Sequence, residues 1–194
     1  MKKLSILVIL SLLTFSFVKI DNPVGLSVGD MAPDFTAKNQ SNKDVNLKEL
    51  LKSGSVVLLF YRGEWCPYCN RQLKALEDSL TLIKSKGASI IAVSPEKLEN
   101  IAKTIEKTKV THNIVIDENS KIMNAYKVGF ELDEKTTEKY KGYGINLMER
   151  NGSSGNNLPV PAVYIINKEG KITYLYFDVN YSNRVSVREI LKHL

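Results

Sequence analysis

The only two cysteines of this 194-residue chain stand three positions apart, in the run Trp65, Cys66, Pro67, Tyr68, Cys69. Several chemistries compete for such a pair. A disulfide across so short a loop makes a poor staple, because loop-closure stabilisation grows with loop length. Structural zinc takes four ligands, and the two histidines, His112 and His193, have no paired spacing to complete a site. Haem attachment needs a histidine directly after the second cysteine, where Asn70 stands. A reactive dithiol fits best. Placed at a helix start, Cys66 would have its thiolate stabilised by unpaired backbone N–H groups and the positive end of the helix dipole, with Arg62 adding a cation. It is therefore expected to be exposed, to carry the lower pKa and to attack first. Cys69, about one helical turn on, would then resolve the mixed disulfide. Trp65 would cover the flank of the nucleophile, Pro67 would stiffen the first turn without losing a needed donor, and Tyr68 would face the substrate.

These residues need a scaffold, and the hydrophobic pattern supplies one. Ser55 to Tyr61 holds the apolar run Val56 to Phe60, suited to a strand buried on both faces. From Cys66 to Gly87 the period turns helical, with Leu73, Leu76, Leu80 and Ile83 on one stripe. Ala88 to Ser94 is a second buried strand, so the segment reads as a βαβ unit. Ser94 and Pro95 look like the cap and first-turn proline of a next helix, with Leu98, Ile101, Ala102 and Ile105 as its core stripe. Lys103, Lys107 and Lys109 read as its solvated face. Ile114 to Ile116 makes a short strand and Lys121 to Val128 a short helix stopped by Gly129. Ala162 to Ile166 and Ile172 to Phe177 flank the turn Asn167 to Gly170 as a hairpin. Ser186 with Glu189 forms a capping box for a final helix. Upstream, Gly25 to Asp44 reads as a hairpin or lead-in, with a short helix over Leu47 to Lys52. The stretch Glu131 to Asn157 looks irregular, and its polar end, Asn151 to Asn157, is expected to be mobile.

That order, with Cys-x-x-Cys where the first strand meets the first helix, resembles the thioredoxin fold: an α/β domain with a central mixed sheet flanked by helices. The wording is closest to the peroxiredoxin-like branch of the alkyl hydroperoxide reductase and thiol-specific antioxidant (AhpC/TSA) family. The matching residues are Val28, Gly29, Asp30, Ala32, Pro33, Asp34 and Phe35, then Tyr61 to Asn70, then Pro159 to Ile166. The resemblance implies a redox-active centre at Cys66 and Cys69 and a cis-proline at Pro161, with Val160 and Pro161 forming an apolar shelf for substrate. Departures are equally visible. Gly63 stands where peroxiredoxins carry Thr or Ser, and Val160 with Pro161 fills the region of their peroxide-polarising Arg, leaving Arg184 as a late substitute. Phe60 stands where thioredoxins keep a buried carboxylate, so the proton acceptor for Cys69 is open, with Glu64 the nearest acid.

Composition sets the outer limits. With 43% hydrophobic and 25% charged residues, the chain has the make-up of one globular domain. Lys2 and Lys3 before the apolar run Leu4 to Val18 read as a signal peptide or N-terminal anchor over residues 1–20, ahead of a domain over 21–194. Export to the periplasm or another extracytoplasmic space follows as the expectation. The formal charge of +6 is spread among Asp and Glu, which argues against a nucleic-acid partner. The expected function is exported thiol–disulfide exchange, with disulfides or thiols as substrates, an electron-donating thiol protein as partner, and no cofactor or metal. A thiol-dependent peroxidase, with Cys66 peroxidatic and Cys69 resolving, is the second reading. A non-catalytic binding module using the 131–157 insert is the third.

Overall fold

A computed structural model describes residues 22–194; the expected signal segment lies outside the described residues. Strands β1 (Thr36–Lys38) and β2 (Asp44–Asn46) form a small antiparallel hairpin that leads into α1 (Leu47–Leu51), capped by the Asn46 side chain. Then follow β3 (Ser55–Phe60), α2 (Pro67–Asp78), α3 (Leu80–Ser85), β4 (Ala88–Ser94), α4 (Leu98–Thr108), β5 (Asn113–Ile116) and α5 (Lys121–Ala125). The chain continues through β6 (Gly129–Glu131), α6 (Glu134–Gly142), α7 (Leu147–Asn151) and β7 (Asn157–Pro159). It closes with β8 (Ala162–Ile166), β9 (Ile172–Phe177) and α8 (Val187–Lys192).

The main sheet has the order β5-β4-β3-β8-β9, with β3, β4 and β5 parallel and β8 and β9 antiparallel to their neighbours. Alternation along β3 explains its continuous apolar run. Val57 and Leu59 face a core shared with Cys66, Cys69, Leu73, Ile101 and Ile190, while Val56, Leu58 and Phe60 face a second core with Tyr126 and Tyr164. Both faces are therefore dry, and the loop after β3 is launched from a rigid platform.

Three local expectations are corrected. The single helix expected from Cys66 to Gly87 is two helices, broken at Ser79, although Leu73, Leu76, Leu80 and Ile83 are all buried as the stripe requires. Ser94 does not cap α4: it ends β4, its hydroxyl accepts the Glu96 N–H, and the helix begins after Lys97. Leu98 and Ala102 are exposed, and Thr104 and Thr108 take the core-facing positions beside Ile101. Third, the 131–157 insert is built, not irregular. Strands β6 and β7 pair antiparallel, and α6 and α7 sit between them. Its polar end is tied down: Ser154 is buried and its hydroxyl donates to the Asp117 carbonyl at 2.7 Å while accepting the Ser120 N–H at 3.1 Å. Polar loop composition concealed these long-range bonds.

Candidate redox site

The site forms where β3 hands over to α2. Cys66 is the N-cap of α2, with extended backbone, and Pro67 occupies the first turn, where its missing N–H costs nothing. The Cys66 N–H donates to the Gly63 carbonyl at 3.1 Å, which curls the preceding loop. Cys69 completes the first turn, and its sulfur lies 2.6 Å from that of Cys66.

Both cysteines belong to the core, with Cys66 only 2% and Cys69 only 1% exposed, and Trp65 and Tyr68 pack against the same cluster. The expected exposure of Cys66 is thereby corrected, and so is the order of acidity. The hydrogen bond to Cys69 and burial push the Cys66 thiol up. Burial pushes Cys69 up as well, but the Cys66 thiol and the guanidinium of Arg184 outweigh it and hold Cys69 below the ordinary thiol range. Arg184 Nη2 stands 3.4 Å from Cys69 Sγ, a neighbour that sequence spacing gave no way to place.

Arg62 is buried and its guanidinium sits in an aromatic cage. It lies 5.0 Å from the Trp65 ring centroid, 5.7 Å from Tyr140 and 4.5 Å from Tyr181, and its Nη2 donates to the Tyr140 hydroxyl at 2.5 Å. Its Nε and Nη1 have no partner among the described residues. Arg62, Val160 and Pro161 line one small, mainly apolar cavity of about 210 Å³ together with Phe130, Pro159 and Tyr181. The structure thus joins three of the expected substrate-side residues. Tyr68 faces elsewhere, onto a groove between α2 and the 182–187 segment, edge-on to Tyr181 and under Arg71. Pro67 is exposed.

The expected cis-proline is not found: no cis peptide occurs among the described residues, so Val160–Pro161 is trans. The Val160 N–H donates to the Val128 carbonyl at 2.8 Å, extending the β6–β7 pairing and carrying the chain straight into β8.

Glu64 also departs from expectation. It is buried and ion-paired with Lys107 of α4 and Arg150 of α7, two cations that outweigh burial and hold its carboxyl below the usual carboxylate range. A group so held is a poor proton acceptor. A second acid near the cysteines is Glu96, which the sequence did not single out. Glu96 is fully buried, its Oε2 accepts the Glu64 N–H at 2.8 Å, and its Oε1 has no partner among the described residues. Burial pushes its pKa up to about 8, with the charges of Glu64 and Cys69 adding to the rise. A carboxyl tuned to that range suits proton transfer near neutral pH. The available signal was its position, directly past the C-terminal end of a parallel strand adjacent to β3, where α/β sites gather.

The same carboxylate explains Gly63. A side chain there would place Cβ 2.5 Å from Trp65 Nε1 and 2.7 Å from Glu96 Oε1, so no Thr or Ser fits.

Comparison with known proteins agrees with this geometry. A profile of the AhpC/TSA family matches residues 28–175. A Helicobacter pylori protein named as a peroxiredoxin, bcp, is 27% identical over 154 residues, 79% of this chain and 90% of that one. The thiol-disulfide oxidoreductase ResA of Geobacillus thermodenitrificans is 26% identical over 148 residues, covering 76% and 67%. The crystal structure of peroxidoxin BcpB from Mycobacterium tuberculosis superposes with a TM-score of 0.66 at 18% identity, over 86% of this chain and 94% of that chain. With its mixed five-stranded sheet, its paired cysteines at the head of α2 and this match over most of its length, the chain belongs to the AhpC/TSA family and has the thioredoxin-like fold.

Proposed function

We propose that this thiol oxidoreductase works by dithiol–disulfide exchange at Cys66 and Cys69. The observation that carries the reading is the 2.6 Å approach of the two sulfurs on the first turn of α2, a spacing from which a disulfide closes with little movement. In the reduced pair the charge rests on Cys69. Transfer of the Cys66 proton to Cys69 across that contact frees the Cys66 thiolate to attack a substrate disulfide, forming a mixed disulfide and expelling one thiolate. Loss of the proton from Cys69, with Glu96 as acceptor in its ionised form, lets Cys69 displace the second thiolate and close the Cys66–Cys69 disulfide. A thiol protein then returns the two electrons. The cavity lined by Arg62, Val160 and Pro161, with Trp65 packed against the Arg62 guanidinium, supports these residues as the substrate side. Export is part of the proposal and rests on the Lys2, Lys3 and Leu4 to Val18 pattern.

Peroxide reduction is the second reading. It is favoured by the relatives named as peroxiredoxins and by Nε and Nη1 of the buried Arg62, unpaired among the described residues, which would polarise a peroxide in place of the absent Thr and Arg. In it, Cys66 becomes a sulfenic acid and Cys69 resolves it with loss of water.

Stopped-flow oxidation of the reduced protein separates the two. A model disulfide is expected to react far faster than hydrogen peroxide, and Cys69→Ser is expected to trap mixed disulfides on Cys66. A peroxide rate constant far above the disulfide one would replace the first reading by the second.

A further inference from the structure

Arg184 lies in the segment between β9 and α8, and that segment is pinned in place by its own side chains. Asp178 accepts from the Asn180 N–H and from Asn183 Nδ2, both at 2.8 Å, and Asn180 Oδ1 accepts from the Ser182 N–H at 3.1 Å and the Ser182 hydroxyl at 2.7 Å. Val185, next in sequence, is buried in the core cluster that contains both cysteines. The guanidinium is thereby fixed. Its Nη1 donates to the carbonyls of Tyr181 and Asn183, its Nε is buried without a partner among the described residues, and its Nη2 meets Cys69 Sγ at 3.4 Å. No carboxylate pairs with it among the described residues, though Asp178 feels its charge. Arg184 is half-buried, with its Nη2 turned to the core, and a partly desolvated cation is stabilised by a counter-charge. The one within reach is the Cys69 thiolate.

Building on the exchange reading, we propose that Arg184 is a further catalytic residue, whose guanidinium holds the negative charge on Cys69 in the dithiol form and gives it up when the disulfide closes. In the resolving step, Cys69 S⁻ attacks the sulfur of Cys66 in the mixed disulfide. The Cys66–Cys69 bond forms, the bond to the substrate sulfur breaks, and the substrate leaves as a thiolate. The charge leaves Arg184 with it. Because Arg184 stabilises only the reduced state, it makes the couple more oxidising and keeps the resolving sulfur nucleophilic. The other titratable groups facing Cys69 are Cys66 at the start of α2, Glu96 after β4 and Tyr61 after β3. The two acids oppose charge on Cys69, which leaves Arg184 as the side-chain cation in contact with it.

The test uses the full chain. In Cys66→Ser protein, which keeps Cys69 as the single thiol, thiolate absorbance is titrated against pH with Arg184 present and with Arg184→Gln. The midpoint is expected to rise by a pH unit or more in the Gln variant, and Arg184→Lys is expected to fall between. In the two-cysteine protein, Arg184→Gln is expected to lower the equilibrium constant for reduction by glutathione about tenfold, about 30 mV towards more reducing. Arg188→Gln removes one exposed positive charge from α8 and controls for net charge. An unchanged titration midpoint in Arg184→Gln, or an equal shift in Arg188→Gln, overturns the proposal. Should the unaltered protein fail to form the Cys66–Cys69 disulfide, the exchange reading falls, while the single-thiol titration still decides the role of Arg184.

Discussion

The backbone N–H of Glu64 donates to Glu96 Oε2 at 2.8 Å and ties the loop before the cysteines to the end of β4. One acid thus meets the other's backbone, while the Glu64 side chain turns away to Lys107 and Arg150. The two carboxyls are pushed in opposite directions, Glu64 down by its cations and Glu96 up by burial. Two environments thus give like groups opposite tendencies to hold a proton.

Glu96 makes stability depend on pH with a definite sign. Its folded pKa of about 8 lies above the ordinary 4.5, so between those values the folded protein holds a proton that the unfolded chain has released. Stability therefore falls as pH rises through this window, by at most about 1.4 kcal/mol per unit, and levels off above pH 8. Glu96→Gln should flatten the slope, and denaturant unfolding at several pH values checks it. Asp117, also raised, to about 6, is present in both proteins and cancels. An equal slope in both would remove Glu96 from this role.

The Glu64 pairs should act with the opposite sign. A depressed carboxylate stabilises the fold above its unfolded pKa, and that contribution is lost as pH falls through the folded value. Arg150→Ala removes the better-buried of the two cations, Lys107 being half exposed. It is expected to cost about 1–3 kcal/mol at pH 7, with the difference from the unaltered protein shrinking on acidification. Unfolding curves at neutral and acidic pH give the comparison.

Gly63→Thr would restore the hydroxyl that peroxiredoxins carry at this place, yet the site has no room for it. Trp65 Nε1 and Glu96 Oε1 stand where its Cβ would go. The expected result is a loss of about 1–3 kcal/mol of stability from overpacking and no gain in the rate with hydrogen peroxide. A faster peroxide reaction in a stably folded variant would mean that Glu96 and Trp65 yield easily.

Because Ser154 bridges the Asp117 carbonyl and the Ser120 N–H, the 151–157 segment is expected to resist limited proteolysis. Ser154→Ala leaves both backbone groups without that partner. It should cost about 1–3 kcal/mol and open the segment to cleavage, as fragment mass analysis would show.

Read alone, the sequence determines the platform and the nucleophiles. Continuous apolar runs in β3 and β4 and a period of 3.6 in α2 are local consequences of which faces must be dry, so they place Cys66 and Cys69 at the head of a helix before any coordinates are known. The cap at Ser186 and the turn at Asn167 to Gly170 are equally local. What the sequence leaves open are contacts between residues far apart in the chain: Arg184 on Cys69, Tyr140 on Arg62, Arg150 on Glu64 and Ser154 on Asp117. Each is a polar residue in a stretch that reads as solvated, because composition reports local preference and not which partner waits across the fold. The order of acidity in the dithiol turned in part on one such contact. Helix-start placement argued for Cys66, but the hydrogen bond between the two sulfurs, joined by a guanidinium 115 residues later in the chain, favours the charge on Cys69, since groups in contact outweigh the partial charge of a helix end.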